Sequence, residues 1–318
     1  MVSKKCSVPP SEPRLRVACE ADEFPDPSPA ELWDAAEKDA AQRIERVSRQ
    51  SQFDAQIDDD KPIGLTFISD QHIAPGTPVD FKRMRLDAEL VRETPGMYAI
   101  LGGDGIDNHV KHRAAVLAAR SQPDDQWRLF RHYLKIFGQK VLMVVAGNHD
   151  AWTNQFAGVD VLKMICQDVG YKYTGFGGTV RVQIGDGRTY TVAARHQYRY
   201  NSSFNQTHAV KQWFRLGEEE FDIGCICHHH EAAVETFMAR GLPRIAIRPG
   251  SYQITSAFSL QFGFNNSTPS CPSVILFPRE RRMIPFTDVR DAAEVLTQYR
   301  SVRPRPAVSR AKVKRKAA

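Results

Sequence analysis

Three apolar, β-branched runs that each stop on metal-binding residue types constrain this chain more than any other feature. Leu65-Thr66-Phe67-Ile68 runs into Asp70-Gln71-His72. Tyr98-Ala99-Ile100-Leu101 runs into Gly103-Asp104-Gly105-Ile106-Asp107-Asn108, and Val141-Leu142-Met143-Val144-Val145 into Gly147-Asn148-His149-Asp150. Short continuous apolar runs bounded by turn residues read as buried strands. Open α/β sheets build their sites outside the carboxyl ends of the strands. Three strand ends that carry carboxylate, amide and imidazole therefore predict one polar centre on an α/β fold.

Each run has its own chemistry. Asp70 and His72, two apart at a strand end, point to one side and make a chelating pair for Mn, Fe, Zn or a similar ion. Asp104 stands between glycines, where the backbone turns sharply and comes close to an ion. Asn148-His149-Asp150 carries an amide ligand, a titratable ring and a carboxylate able to orient it. Two later pieces extend the set. His196 closes the apolar run Thr191–Arg195, and Phe221–Cys227 leads into His228-His229-His230, where His228 and His230 repeat the two-apart spacing. Singly, each is equally a polar turn, a helix cap or a satisfied core histidine. Their order along the chain is what joins them.

That order, Asp70-x-His72, Gly103-Asp104-x-x-Asp107, Gly147-Asn148-His149-Asp150, His196, Cys227-His228-x-His230, resembles the calcineurin-like metallophosphoesterase superfamily over residues 61–278. The one departure is Cys227, where the family pattern has glycine. Arg195-His196 through His208, and Arg248-Pro249-Gly250-Ser251-Tyr252, also look like the phage and prophage branch. The resemblance implies two packed mixed β-sheets flanked by helices, a four-layer α/β sandwich, and a phosphoesterase that uses metal-bridged hydroxide attack. It implies two divalent ions, with Mn first and Fe, Zn or Ni as alternatives. Asp70, His72 and His230 would hold one ion, Asn148, His196 and His228 the other, and Asp104 would bridge. Two such ions about 3.5–4 Å apart suit in-line displacement at phosphorus. His149 would stabilise phosphoryl oxygens or protonate the leaving group. Asp150 would hydrogen-bond its second ring nitrogen, and Asp107 and Asn108 would shape the loop.

The 318 residues suit one large domain with extensions, and 42% hydrophobic content is ordinary for a globular chain. No apolar run reaches the about 18 residues of a membrane span. The first residues lack an apolar segment, which points to the cytoplasm and away from a membrane. Six scattered cysteines do not make a disulfide framework. Cys225 and Cys227 read as small buried residues on a strand, because no second pair stands at zinc-finger spacing. The net charge of +6 belongs to one segment. Residues 303–318 hold seven basic residues and no acid, so the remainder is near neutral.

Three regions follow: an arm and helix over 1–60, a phosphoesterase domain over 61–302, and a basic disordered tail over 303–318. In the first, a Pro-rich stretch precedes a helix starting at Ser28-Pro29 and running from Ala30 to Phe53. Further helices are predicted over 81–93, 113–137 with a break at Pro123, 159–169, 231–240 and 291–302. A hairpin is predicted around Gly185-Asp186-Gly187. The substrate is a phosphate ester. A phosphodiesterase or nuclease on nucleic acid, contacted through the tail, comes before a phosphomonoesterase or phosphoprotein phosphatase. A non-catalytic scaffold of the same fold is the alternative outside enzymes. Arg195 and Arg199 flank His196 as a substrate clamp, and Lys111, His112 and Arg113 lie close enough in sequence to assist.

Overall fold

The computed structural model describes residues 27–110, 122–202, 204–217, 220–255, 261 and 268–302. The Pro-rich arm before residue 27, Lys111 to Arg113 with the first half of the helix expected over 113–137, and the basic tail lie outside them. The chain divides into two compact units, Met1–Arg46 and Val47–Ala318. The first contains most of helix α1 (Pro29–Ser51). Its start is a reciprocal cap, in which the Ser28 amide donates to Glu31 Oε2 at 2.7 Å and the Glu31 amide to Ser28 Oγ at 3.3 Å.

The second unit is built on two mixed sheets. Strands β2 (Ile63–Ile68), β3 (Met97–Leu101), β4 (Val141–Val144), β10 (Ser273–Leu276) and β11 (Met283–Phe286) form a five-stranded sheet in the order β11-β10-β2-β3-β4. Strands β1 (Gln52–Ile57), β5 (Gly177–Ile184), β6 (Thr189–Arg195), β7 (Ile223–Ile226), β8 (Ala233–Ala239) and β9 (Leu242–Arg248) form a six-stranded sheet in the order β1-β5-β6-β7-β9-β8. The helices are α2 (Phe81–Glu93), α3 (Pro123–Ile136), α4 (Asn148–Ala157), α5 (Val161–Val169), α6 (His208–Leu216) and α7 (Val289–Ser301).

Strand alternation sorts the side chains into three cores, which makes four layers. Ile63, Leu65, Phe67 and Ile100 meet Val180, Val192, Ala194 and Ile247 between the sheets. Ile68, Met97, Ala99 and Leu101 face the other way, toward Ala88 of α2, Phe130 of α3 and Leu296 of α7. Ala193 and Ala246 pack outward against Val210, Trp213 and Phe214 of α6. Burial of each large side chain is worth about 1.5–3 kcal/mol. The fold is the metallophosphoesterase-like sandwich that the resemblance implied. Strands β2, β3 and β4 run parallel, as do β6 and β7, so their carboxyl ends are shared edges.

Several elements differ from expectation, including helix α6 and strand β11, neither of which is predicted. Helix α1 ends at Ser51 and not at Phe53, and residues 52–57 are an edge strand, β1, parallel to β5. Phe53, Ala55 and Ile57 alternate with Asp54 and Gln56, a period of two that the charged helix pattern before it masks. Residues 233–239 are a strand rather than a helix. Arg240 and Gly241 take φ of 50° and 74°, the turn type of a tight hairpin, and pair β8 with β9. Asn148 to Ala157, for which no helix is predicted, is helix α4. Asp150 caps its start by accepting the Gly147 amide at 2.8 Å, and Gly158 ends it in the left-handed conformation at φ 69°.

Candidate metal centre

The centre assembles where the carboxyl ends of both sheets meet. Beyond β2, Asp70 and His72 have φ of 53° and 48°. Beyond β3, Asp104 and Asn108 have 51° and 44°, and beyond β7, His228 and His230 have 74° and 61°. Eight non-glycine described residues have positive φ, and these are six of them. Left-handed backbone costs roughly 1–2 kcal/mol for a residue with a Cβ. Its concentration here means that the surrounding structure imposes it, as it does at sites where strain serves placement. The two-apart pairs converge through left-handed turns, not through the pleat of an extended strand.

Two glycines make this possible. A Cβ on Gly147 would lie 1.9 Å from Asp104 Oδ1, and one on Gly103 would lie 2.4 Å from the Gly147 nitrogen. The exits of β3 and β4 thus interlock with no room for a side chain. Cys227, the departure from the family pattern, is accommodated by a third glycine: a Cβ on Gly102 would meet Cys227 Sγ at 2.2 Å. The Cys227 thiol is buried 3.8 Å from the Cys225 thiol, and both are free.

The residues gather in three overlapping groups: Asp70 with Asp104, His196 and His228, Asp70 with His72 and His230, and His72 with Asp107 and His149. His196 Nε2 lies 3.1 Å from Asp104 Oδ2 and 3.2 Å from Asn148 Oδ1. His230 Nε2 lies 3.4 Å from Asp70 Oδ1 and 3.1 Å from His72 Nε2. The far ring nitrogens are already committed. His196 Nδ1 donates to the Gly102 carbonyl and His72 Nδ1 is paired with Asp107 Oδ1, both at 2.8 Å. Such partners fix the tautomer and leave Nε2 for an ion.

Electrostatics support the same use. Asp70, Asp104 and Asp107 are buried, which raises a carboxyl, yet the surrounding histidines hold all three below the ordinary carboxylate range. Burial opposes charge on the histidines too, but Asp107, Asp104 and Asp70 raise His72 to about 9, and Asp104 with Asp70 raises His196 to about 10. Protonated imidazoles here neutralise buried carboxylates, a task that divalent cations perform directly. Asp70 Oδ1 and His228 Nδ1 are buried without a hydrogen-bond partner. Orphaned atoms of ligand type inside such a cluster fit metal ions.

His149 and Asp150 sit beside the cluster but not as a pair. His149 Nδ1 donates to the Asp107 carbonyl at 2.7 Å, and its ring stacks on Trp152 with centroids 4.1 Å apart. Burial pushes it down to about 4. Asp150, expected to orient that ring, instead accepts the amides of Asp104, Gly105 and Gly147 at 2.8, 3.0 and 2.8 Å. The Asp104 amide in turn aligns a carboxylate whose Oδ1 accepts the His149 amide at 2.9 Å. Burial and the Asp104 charge lift Asp150 to about 7 despite those donors. Asp107 supports His72 and Asn108 donates to the His149 carbonyl at 2.6 Å, so both shape the loop. Arg195 lies over the Trp213 ring at 5.2 Å, and exposed Arg199 over Tyr200 at 5.0 Å. Neither of these contacts reaches a ligand. Trp152 and Gln253 were not singled out from the sequence, and Ser251 only as part of the Arg248–Tyr252 run, with no role at the centre. Their residue types bind metal weakly or not at all, and only the fold brings them in.

No family model matches the chain, and no curated protein matches it. Among solved structures it is similar to Chaetomium thermophilum Vps29 (12% identity, 71% of this chain and 98% of that one, TM-score 0.40). It is also similar to a conserved uncharacterized protein, a predicted phosphoesterase, from Streptococcus pneumoniae (16%, 71% and 98%, 0.34). A third is GAP50, the anchor in the inner membrane complex of Plasmodium (11%, 71% and 84%, 0.41). Among the described residues no helix is long and apolar enough to cross a membrane.

Proposed function

We propose that the chain is a two-metal phosphoesterase of the calcineurin-like superfamily, acting as a phosphodiesterase or nuclease on nucleic acid. The observation that carries this is the convergence of buried carboxylates and histidines on overlapping ligand groups with orphaned Asp70 Oδ1 and His228 Nδ1. Asp70, His72 and His230 would hold one ion, Asn148, His196 and His228 the second, with Asp104 between them. When bound, two divalent ions supply charge to a phosphoryl oxygen and a nucleophile at neutral pH. Mn is the proposed ion.

The chain's own groups do the rest. His149 commits its Nδ1 proton to the Asp107 carbonyl, so Nε2 is the nitrogen left for phosphoryl or leaving oxygens, and it must first take up a proton to donate to them. Asp150 holds Asp104 and the start of α4 in register. Exposed Phe156, Phe176 and Tyr200 lie on segments adjoining the centre, and Arg199 stands over Tyr200. Phe176 is tied to it directly, because its carbonyl accepts the His196 amide at 3.3 Å. Aromatic faces interleaved with a cation suit stacked bases of a single strand. The proposal includes Arg195 and Arg199 as substrate cations, a phosphoesterase domain over 61–302 completed by β1, a phage or prophage relationship, a cytoplasmic location and a nucleic-acid role for the tail.

A substrate panel with Mn tests it, spanning mono- and diesters and single- and double-stranded DNA and RNA. Cleavage of single-stranded substrates is expected. Monoester hydrolysis alone would replace the proposal with a phosphomonoesterase, and metal uptake without hydrolysis with a scaffold. Truncation after Val302 should flatten the salt dependence of nucleic-acid binding. The log–log slope on duplex DNA should fall by about 0.9 for each phosphate that the tail no longer neutralises, while small-diester turnover stays unchanged.

A further inference from the structure

The left-handed turns of the centre belong to two different sheets, and one short segment touches them from both sides. That segment, Arg248 to Gln253, follows β9. Ser251 is fully buried, and its Oγ donates at 2.7 Å to the carbonyl of Asp70, one of the left-handed ligands. Gln253 Nε2 reaches Asp107 Oδ1, the partner of His72, at 3.4 Å. Arg248, only 5% exposed, sends its guanidinium to the other sheet's turn. Its two terminal nitrogens meet the Gln206 carbonyl at 3.3 Å, the His229 carbonyl at 3.5 Å and Glu231 Oε2 at 3.5 Å. His229 is the residue between the ligands His228 and His230.

Stability does not explain a guanidinium in this place. Removing an Arg from water is costly unless its donors are met with good geometry. Here the contacts are long, Arg248 Nε has no partner, and the one acid in reach, Glu231, has a side chain 58% exposed. An apolar residue of similar volume would cost the fold less. What Arg248 adds is connection. Gln206 Nε2 also donates to Glu231 Oε2 at 3.1 Å, and Asn201 Nδ2 lies 3.4 Å from His229 Nδ1. The loop after His196 and the turn of His228 and His230 are thus held to one fork.

We propose that Arg248 is a positioning residue of the metal centre. Its fork holds the His228–His230 turn in its left-handed form, while Ser251 of the same segment holds the Asp70 turn, so that the ligands from the two sheets keep one spacing. The inference rests on the metal-centre reading of the cluster.

The test is Mn binding by the full-length protein, read by elemental analysis after dialysis and by titration calorimetry. Partners that orient ligands typically change metal affinity about 10–100-fold. Arg248→Met should weaken at least one of the two Mn sites by that factor. Arg248→Lys, which keeps charge but loses the fork, should weaken it too. Ser251→Ala should cost about tenfold. Melting in chelator and in Mn separates positioning from general stability. A positioning role shrinks the Mn-induced rise in melting temperature, whereas a merely structural one lowers the chelator melt and leaves the rise intact. If Arg248→Met does not fold, Arg248→Lys is read by the same criteria. Affinities within twofold of the parent in the folded variants, or a fully restored Lys variant, would overturn the proposal. A parent that takes up no Mn would remove the metal-centre reading itself.

Discussion

The two halves of the centre are built differently. The five-stranded sheet contributes Asp70, His72, Asp104 and Asn148, and its half is held mainly by backbone: Asp150 gathers three amides, Asp104 takes the His149 amide, and Gly103 and Gly147 interlock. Asp70, His72 and Asp104 there are fully buried. The six-stranded sheet contributes His196, His228 and His230. Of these, His228 and His230 are half-buried, and their turn is held by side chains: Asp70 Oδ2 accepts the His228 amide at 3.1 Å and Arg248 donates to the His229 carbonyl at 3.5 Å. A carboxylate centre buried without water needs fixed donors, and backbone amides are the least mobile available. The histidine side faces the opening and is left to longer, weaker contacts. The difference implies a rigid half and a more adjustable half of the candidate metal centre.

The largest expected effect comes from Asp150→Ala, which strips three buried amides of their acceptor. Each unsatisfied buried group costs about 1–3 kcal/mol, so a loss of roughly 3 kcal/mol or more is expected in a denaturant melt. A variant as stable as the parent would break the claim that backbone donors hold the five-stranded half. Asp104→Asn comes next. It removes the anion proposed to stand between the two ions, and elemental analysis should find near two ions in the parent and clearly fewer in the variant. A parent that hydrolyses esters with no metal present would end the two-metal reading.

On the other half, His230→Ala should lower occupancy of one ion while stability in chelator stays within about 1 kcal/mol of the parent, as expected for a half-buried side chain. Loss of both ions would show that the halves are not separable. His149→Ala should keep the metal and lose about 10²–10⁴-fold in turnover. The loss should be greater with a poor leaving group than with nitrophenolate if Nε2 protonates the leaving oxygen. Equal losses would assign the ring to charge stabilisation instead.

The smallest effect is expected far from both halves. Burial works against the Asp59 charge, but Arg300, at 2.7 Å, and the Lys61 amide hold its carboxyl below the ordinary value. A folded-state value below the unfolded one stabilises above about pH 4, and the contribution disappears as pH falls through the lowered value. Asp59→Asn should therefore cost no more than about 1 kcal/mol at neutral pH, after allowance for solvent screening, and nothing in strong acid. Paired melts across pH would show this. Any change in metal content would mean that the ends of the sheet are coupled.

Much of the centre is legible along the chain because ligand chemistry is a property of residue type. Asp, His and Asn at the ends of apolar runs announce themselves wherever the strands lie. The elements that sequence reading misplaced are those in which local pattern and tertiary partner compete. Ala232 to Ala239 satisfies a helical pattern as well as a strand, and only pairing with β9 decides it. Phe53 to Ile57 is short, follows a strong helix and becomes a strand because β5 offers an edge. Asn148 to Ala157 lacks a long apolar stripe, and its helix depends on the Asp150 cap and on what it packs against.

By itself, the sequence determined the α/β class with a mixed sheet and the order of the runs that carry ligand-type residues, which follow from hydrophobic period and from the donor atoms that each side chain carries; the two packed sheets and the two-ion set are what the family resemblance implies. Only the tertiary structure decided which donor faces which. It sent the Asp150 carboxylate to three amides instead of to His149, put Arg195 over the Trp213 ring, and brought Arg248 and Ser251 to turns 19 and 181 residues away. A side chain's chemistry is local, but its partner is chosen by the packing of strands distant in sequence, and that choice separates a ligand from a brace.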